Sequence, residues 1–175
     1  MKIFQTTIAI AAASALLAGC QSMSTDGPKA SAMLAPTKGS NVRGSVTFAE
    51  SGSRLRVIAA VSGLAPNSEF GFHIHEAGDC SSGDGMSAKG HFNPQGKPHA
   101  HAGTPERHAG DLPSLKSDAN GNATINVVLD IITVSPGPTS VVGRGLIVHA
   151  QPDDFKTQPT GNAGARSACA VIQRS

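Results

Sequence analysis

Six of the seven histidines in this chain fall between Gly71 and Asp111, a stretch of 41 residues. Neutral imidazole offers a lone pair at neutral pH, which makes histidine the commonest side-chain metal ligand. His73, His75, His91, His99, His101 and His108, with Asp111 three residues past the last, read first as a metal site. His149 stands apart, in the apolar run GLIVHA.

The ligand types divide into two groups. His91, His99, His108 and Asp111 supply three nitrogens and a carboxylate, a set suited to tetrahedral Zn²⁺. His73, His75 and His149 leave a nitrogen-only set, which suits copper. With no thiolate left over for either, a redox-inactive ion beside a redox-active one is a consistent pairing. Taken alone, each fragment has a plainer reading. A His-x-His pair is more often two solvated residues on an outward face, and ERHAGD reads equally as a surface turn. The complete set outweighs both.

These ligands need a frame. His73 and His75 lie two apart in SEFGFHIHE, and on a strand such residues project to one face, leaving Phe70, Phe72 and Ile74 for the core. The runs VRGSVTFAE, SRLRVIAAVSGL, NATINVVLD, GLIVHA and SACAVIQ are also alternating or β-branched. Turn signals separate several of them, at Glu50-Ser51-Gly52-Ser53, Ala65-Pro66-Asn67-Ser68 and Asn120-Gly121. Two irregular stretches, 77–113 and 151–165, interrupt the pattern, and structureless segments as long as the first tend to be functional. A single all-β domain follows, a sandwich or barrel with two functional loops.

Composition narrows the partners. A formal net charge of +2 in 175 residues argues against a binder of polyanions, and the absence of Trp and Tyr removes most stacking surfaces for single strands. No nucleic-acid partner is expected. Twenty Gly and eleven Pro fit a chain of many turns.

The N-terminus reads as a targeting segment. Lys2 is followed by IAIAAASALLAG, 12 largely apolar residues, too few for the roughly 20 that span a bilayer. The run Leu17-Ala18-Gly19-Cys20 resembles the lipobox of bacterial lipoproteins, in which the cysteine becomes the lipidated first residue. The expected organisation is a signal peptide over 1–19, a lipid-anchored flexible linker over 20–30 and a folded domain over 31–175. Lipidation of Cys20 leaves Cys80 and Cys169, an even number in a disulfide-permissive compartment. Gln21 after that cysteine favours the outer membrane, by resemblance to lipoproteins of bacteria with two membranes. The expected location is the bacterial cell envelope, on the periplasmic side.

The segments GFHIHEAGDC, GHFNP, ERHAGDL, GLIVHAQPDD and GNAGARSACAVI resemble, in order, the motifs of the Cu/Zn superoxide dismutase family. The resemblance runs from about residue 42 to the end. It implies a Greek-key antiparallel β-barrel or sandwich with a long metal-binding loop and a shorter electrostatic loop. It also implies one copper and one zinc per subunit, and a copper redox cycle turning superoxide into molecular oxygen and hydrogen peroxide.

Carried over by position, His73, His75 and His149 match the copper ligands, and His91 the ligand shared between copper and zinc. His99, His108 and Asp111 match the remaining zinc ligands. His99 keeps the family spacing to His91 and His108 and is the expected ligand; His101 is the alternative to it, and is otherwise a solvated loop residue. Asp153 matches the carboxylate that bonds one copper and one zinc ligand from behind, Arg166 the arginine that guides the anion, and Cys80 and Cys169 the intrasubunit disulfide. His91 and Arg166 are thereby the expected catalytic residues. Three features depart from the family: Cys80 comes only five residues after His75, a residue is inserted before His91, and the stretch from His149 to Arg166 is short. The resemblance leaves monomer and homodimer open. The competing readings are a non-enzymatic copper and zinc store on the same fold and a structural envelope lipoprotein.

Overall fold

The computed structural model describes residues 27–175. The signal peptide read over 1–19, Cys20 and the start of the linker lie outside the described residues. The strands are β1 (Lys29–Pro36), β2 (Arg43–Ser51), β3 (Arg54–Ser62), β4 (Glu69–Phe70), β5 (Phe72–His75), β6 (Leu115–Lys116), β7 (Ala123–Leu129), β8 (Gly145–His149), β9 (Arg166–Val171) and β10 (Gln173–Arg174). A 3-10 turn, Met86–Ala88, is the one helical element among the described residues.

Period-two alternation builds the sheet. Along β3 the side chains of Leu55, Val57, Ala59 and Val61 are buried while Arg54, Arg56, Ile58 and Ala60 face out. β3 pairs in continuous antiparallel register with β2 and β7, so one inward stripe extends across the three strands. The main sheet runs β5-β8-β9-β1-β2-β3-β7 with β10 beside β1, and β4 and β6 form a separate two-stranded ribbon. The result is an antiparallel sheet curled into a half-barrel. The chain crosses from β7 at one edge to β8 near the other, a Greek-key type of connection.

The structure adds one strand to those read from the sequence and divides another. KASAMLAP is not among the runs named above, yet β1 lies between β2 and β9, and its first two residues fall within the stretch read as linker. Its small side chains have little β-preference of their own. Pairing on both sides and burial of Ala30, Ala32 and Leu34 decide the matter. The run SEFGFHIHE is also not one strand. It breaks at Gly71, whose N–H donates to the carbonyl of Gln151 and whose carbonyl accepts from the N–H of His149, both at 2.8 Å.

β5 and β8 are buried along their whole length. Phe72, Ile74, Leu146 and Val148 join the main core. On the opposite face His73 pairs with Ile147 and His75 with Gly145, while His149 pairs with Arg166 after a register shift at Val148 and His149. Such irregularities re-aim side chains and are common beside functional sites. That face of β5, β8 and β9 is the floor on which the two long loops settle.

Candidate metal centre

The convergence of ligands begins in the main chain. The Ile74 N–H donates to the carbonyl of Gly110 at 2.9 Å, the Gly110 N–H to that of Phe92 at 2.9 Å, and the Phe92 N–H to that of Ile74 at 2.8 Å. This closed ring of three bonds draws two distant loop segments against β5. His73 and His75 flank Ile74, His91 precedes Phe92 and Asp111 follows Gly110, so four prospective ligands gather at once. Gly110 is needed for the approach, because a Cβ there would lie 2.2 Å from the carbonyl oxygen of Ile74.

His73, His75, His91 and His149 form the first group, all buried, with ligand atoms within 4.8 Å of one another. Each ring has one nitrogen held by the protein. Nε2 of His73 lies 2.7 Å from Asp153, and Nδ1 of His91 lies 3.0 Å from Asp111. Nδ1 of His75 donates to the Lys89 carbonyl at 2.8 Å, and that of His149 to the Gly164 carbonyl at 3.2 Å. The other nitrogens, Nδ1 of His73 and Nε2 of His75, His91 and His149, are buried without a hydrogen-bond partner among the described residues. Leaving one such group unpaired costs about 1–3 kcal/mol. Four convergent lone pairs are what a copper ion requires of an all-nitrogen site.

The second group is His91, His99, His108 and Asp111, also buried. Oδ1 of Asp111 lies 3.0 Å from Nδ1 of His91, 3.0 Å from Nδ1 of His99 and 3.4 Å from Nδ1 of His108. Nδ1 of His108 lies 3.4 Å from Nδ1 of His91. A tetrahedron with ligands about 2.0–2.1 Å from its centre has edges of about 3.3–3.4 Å, so these donors fit zinc. The other oxygen of Asp111 accepts from the N–H groups of Ala100 and His108, both at 3.1 Å, which turns Oδ1 toward the three rings. His91 belongs to both groups, through Nε2 in one and Nδ1 in the other.

Charge and burial prepare the rings. Burial, reinforced by neighbouring rings, holds His75 well below its ordinary pKa and takes His149 down to about 3. Burial also takes His91 down to about 4, against the pull of Asp111. These imidazoles are neutral at physiological pH, with lone pairs ready. At His99 burial is outweighed by hydrogen bonds to Asp111 and Asp153, which push it up to about 9. Burial likewise opposes ionisation of both aspartates, yet their histidine and backbone partners hold each far below the ordinary carboxylate range.

Arg166, the predicted anion guide, is half-buried at the start of β9. Its guanidinium donates to the carbonyls of Gly85 and Lys89. The Lys89 carbonyl is also the acceptor for His75, so one peptide oxygen joins the arginine to a ring of the first group. The disulfide between Cys80 and Cys169 is formed, with its Cα atoms 5.9 Å apart, and fastens the loop that carries Gly85 to β9. His101 is exposed, packs on the ring of Phe155 at 4.8 Å and belongs to neither group.

Comparison with known proteins accords with this geometry. The profile of the copper/zinc superoxide dismutase family matches residues 42–172. The chain belongs to the copper/zinc superoxide dismutase family. It is 41% identical over 149 residues to Cu-Zn superoxide dismutase 2 of Aquifex aeolicus, covering 83% of this chain and 86% of that one. It is 43% identical over 152 residues to the Cu-Zn superoxide dismutase of Candida glabrata, covering 82% and 96%. Among solved structures it superposes on the clock protein EA4 with a TM-score of 0.75 and 39% identity, covering 83% of this chain and 93% of that one. As a superoxide dismutase the protein is an oxidoreductase, with copper and zinc as its cofactors and superoxide as its substrate.

Parts of the dismutase site were not legible as function. Phe92 and Ile74 look like ordinary core residues, and only their main chains do the gathering. Arg107, beside His108, is buried and pairs with Asp130 while donating to the Thr104 carbonyl at 2.7 Å, tying the metal loop to the chain just after β7. Gln158, in the second loop, bonds the main chain of His99. A buried-charge argument has no foothold in ERHAGD before the fold is known, and a loop glutamine carries no local signal at all.

Proposed function

We propose that His73, His75, His91 and His149 hold copper, that His91, His99, His108 and Asp111 hold zinc, and that Arg166 and His91 serve catalysis. The membership of His91 in both groups carries this reading, because one imidazolate can join two ions only when both of its nitrogens face donor sets. Copper, when bound, supplies reversible one-electron chemistry, so that two superoxide ions and two protons become O₂ and H₂O₂. The residues of the chain do the rest. Arg166, always charged, attracts the anion and orients it by charge-assisted hydrogen bonds. With Nδ1 of His91 given to zinc, its Nε2 would hold a proton whenever it is not given to copper. Asp153 fixes His73 and His99 from behind.

His91→Ala tests the assignment, with copper and zinc content and the copper spectrum measured after reconstitution. Both sites should be perturbed together, since this ring alone serves both. Unchanged spectra and zinc content would remove the bridging role.

We further propose that the enzyme works in a bacterial envelope, held to the membrane through lipidated Cys20 and facing the periplasm, where it protects the envelope from oxidative damage. The motif LAGC at the end of a 12-residue apolar run supports it. Cys20→Ser should release the protein from the membrane fraction or leave the precursor uncleaved, and mass spectrometry of the native N-terminal peptide should find the lipid. An unmodified Cys20 in the native host would defeat this part.

A further inference from the structure

His99 lies in a loop, and no strand among the described residues pairs with its main chain. A side chain takes the place of that strand. The N–H of His99 donates to Oε1 of Gln158 at 2.8 Å, and its carbonyl accepts from Nε2 of Gln158 at 2.9 Å. The amide therefore copies both bonds of a neighbouring strand, from 59 residues further along the chain. Nε2 of Gln158 also donates to the Lys156 carbonyl at 3.3 Å, which anchors the amide within its own loop.

The same loop grips the ring of His99 as well. Oδ1 of Asp153 lies 2.9 Å from Nε2 of His99, and it also accepts the N–H of Phe155 at 2.7 Å. Gly161 packs over this bond so closely that a Cβ would fall 1.9 Å from Oδ1 of Asp153 and 2.5 Å from Nε2 of His99. Ring and main chain of one residue are thus held by one loop, leaving Nδ1 of His99 aimed at Asp111. Metal–ligand distances lie within about 0.2 Å of their ideal values, so fixing the peptide on both sides of a ligand bears directly on retention.

We infer that Gln158 is a positioning residue for zinc: it seats the main chain of His99 and makes zinc retention depend on the docking of the 150–165 loop. This rests on the reading of His99 as a zinc ligand. Gln158 touches neither substrate nor a prospective metal, so its effect must pass through His99.

The test uses the fully metallated protein. Zinc transfer to a chromophoric chelator is measured for wild type, Gln158→Ala, Gln158→Glu and His99→Ala, together with the visible spectrum of each protein carrying Co²⁺ in place of zinc. Ser117→Ala is the control, since Ser117 clamps a different loop by accepting the N–H of Ser68 and donating to the Ala65 carbonyl. Gln158→Ala should bind zinc about tenfold more weakly or worse, with a shifted Co²⁺ band. Gln158→Glu, which keeps the acceptor and loses the donor, should fall between it and wild type. Ser117→Ala should retain zinc as wild type does. Zinc affinity in Gln158→Ala within twofold of wild type, or an equal loss in Ser117→Ala, overturns the positioning role. Retention of zinc by His99→Ala overturns the ligand assignment itself, and the clamp with it.

Discussion

Nε2 of His73 lies 2.7 Å from Oδ2 of Asp153, in a contact from which solvent is excluded. The other oxygen of the same carboxylate lies 2.9 Å from Nε2 of His99, so one side chain couples a ring of the copper group to a ring of the zinc group. A carboxylate behind a ligating histidine fixes the tautomer and raises ligand basicity.

Asp153→Ala should therefore weaken zinc binding about 10- to 100-fold. Copper should be lost less readily, because His75, His91 and His149 keep their own partners. Competitive chelation of each metal from the reconstituted protein measures both. Equal retention of the two metals at wild-type strength would show that the carboxylate is dispensable.

Arg166 is the test of how the substrate is guided. A fixed positive charge raises the encounter rate of a small anion by tenfold or more, on the order of steering effects generally, and salt weakens it. Its reach at physiological ionic strength is about 8 Å. Arg166→Ala should lower the rate of superoxide decay and Arg166→Glu lower it further, with copper and zinc content unchanged. Pulse radiolysis across a salt series gives the ordering. Equal rates for wild type and Arg166→Glu at low salt, both fully metallated, would rule out guidance by this residue.

The disulfide closes a loop between residues 89 apart in sequence. In the chain-entropy account such a crosslink stabilises by about 4–5 kcal/mol. Replacing both Cys80 and Cys169 by Ser should cost a comparable amount in urea unfolding of the metal-free protein. It should also lower activity of the metallated protein, because the freed loop carries the Gly85 and Lys89 carbonyls that hold Arg166. Full activity in the double variant would mean that the arginine is held without the bridge.

Glu50 offers a pH test outside the metal centre. One of its oxygens accepts the N–H groups of Val134 and Ser135, at 2.6 and 2.7 Å. Burial opposes its ionisation, but bonds from Ser135 and Val134 prevail and hold it below the ordinary value of 4.5. A carboxyl lowered on folding adds stability above its unfolded pKa and loses it as pH falls through the folded one. Wild type should exceed Glu50→Ala by no more than about 1 kcal/mol at neutral pH, since solvent screens a partly exposed carboxylate, with the gap constant down to about pH 5 and closing in acid. A gap that persists unchanged at low pH would assign the effect to packing instead.

Ligand chemistry and strand periodicity are local properties, and the sequence determined them alone. A histidine is a histidine wherever it lies, so the division into an all-nitrogen set and a set with Asp111 could be read before any folding. Alternation along VRGSVTFAE and SRLRVIAAVSGL is likewise legible, because the pleat itself imposes a period of two. β1 escaped because KASAMLAP becomes a strand through its neighbours on both sides, not through its own preferences. The exchange of main-chain bonds among Ile74, Phe92 and Gly110 was invisible for a related reason. Backbone groups are the same in every residue, so nothing in the side chains announces which distant peptides will meet. Gln158 on His99 and Arg107 on Asp130 depend in the same way on which loops come to lie together. The residues decide what chemistry is available, and the tertiary structure decides which atoms stand within about 3 Å of one another, because hydrogen bonding and coordination act only at that range.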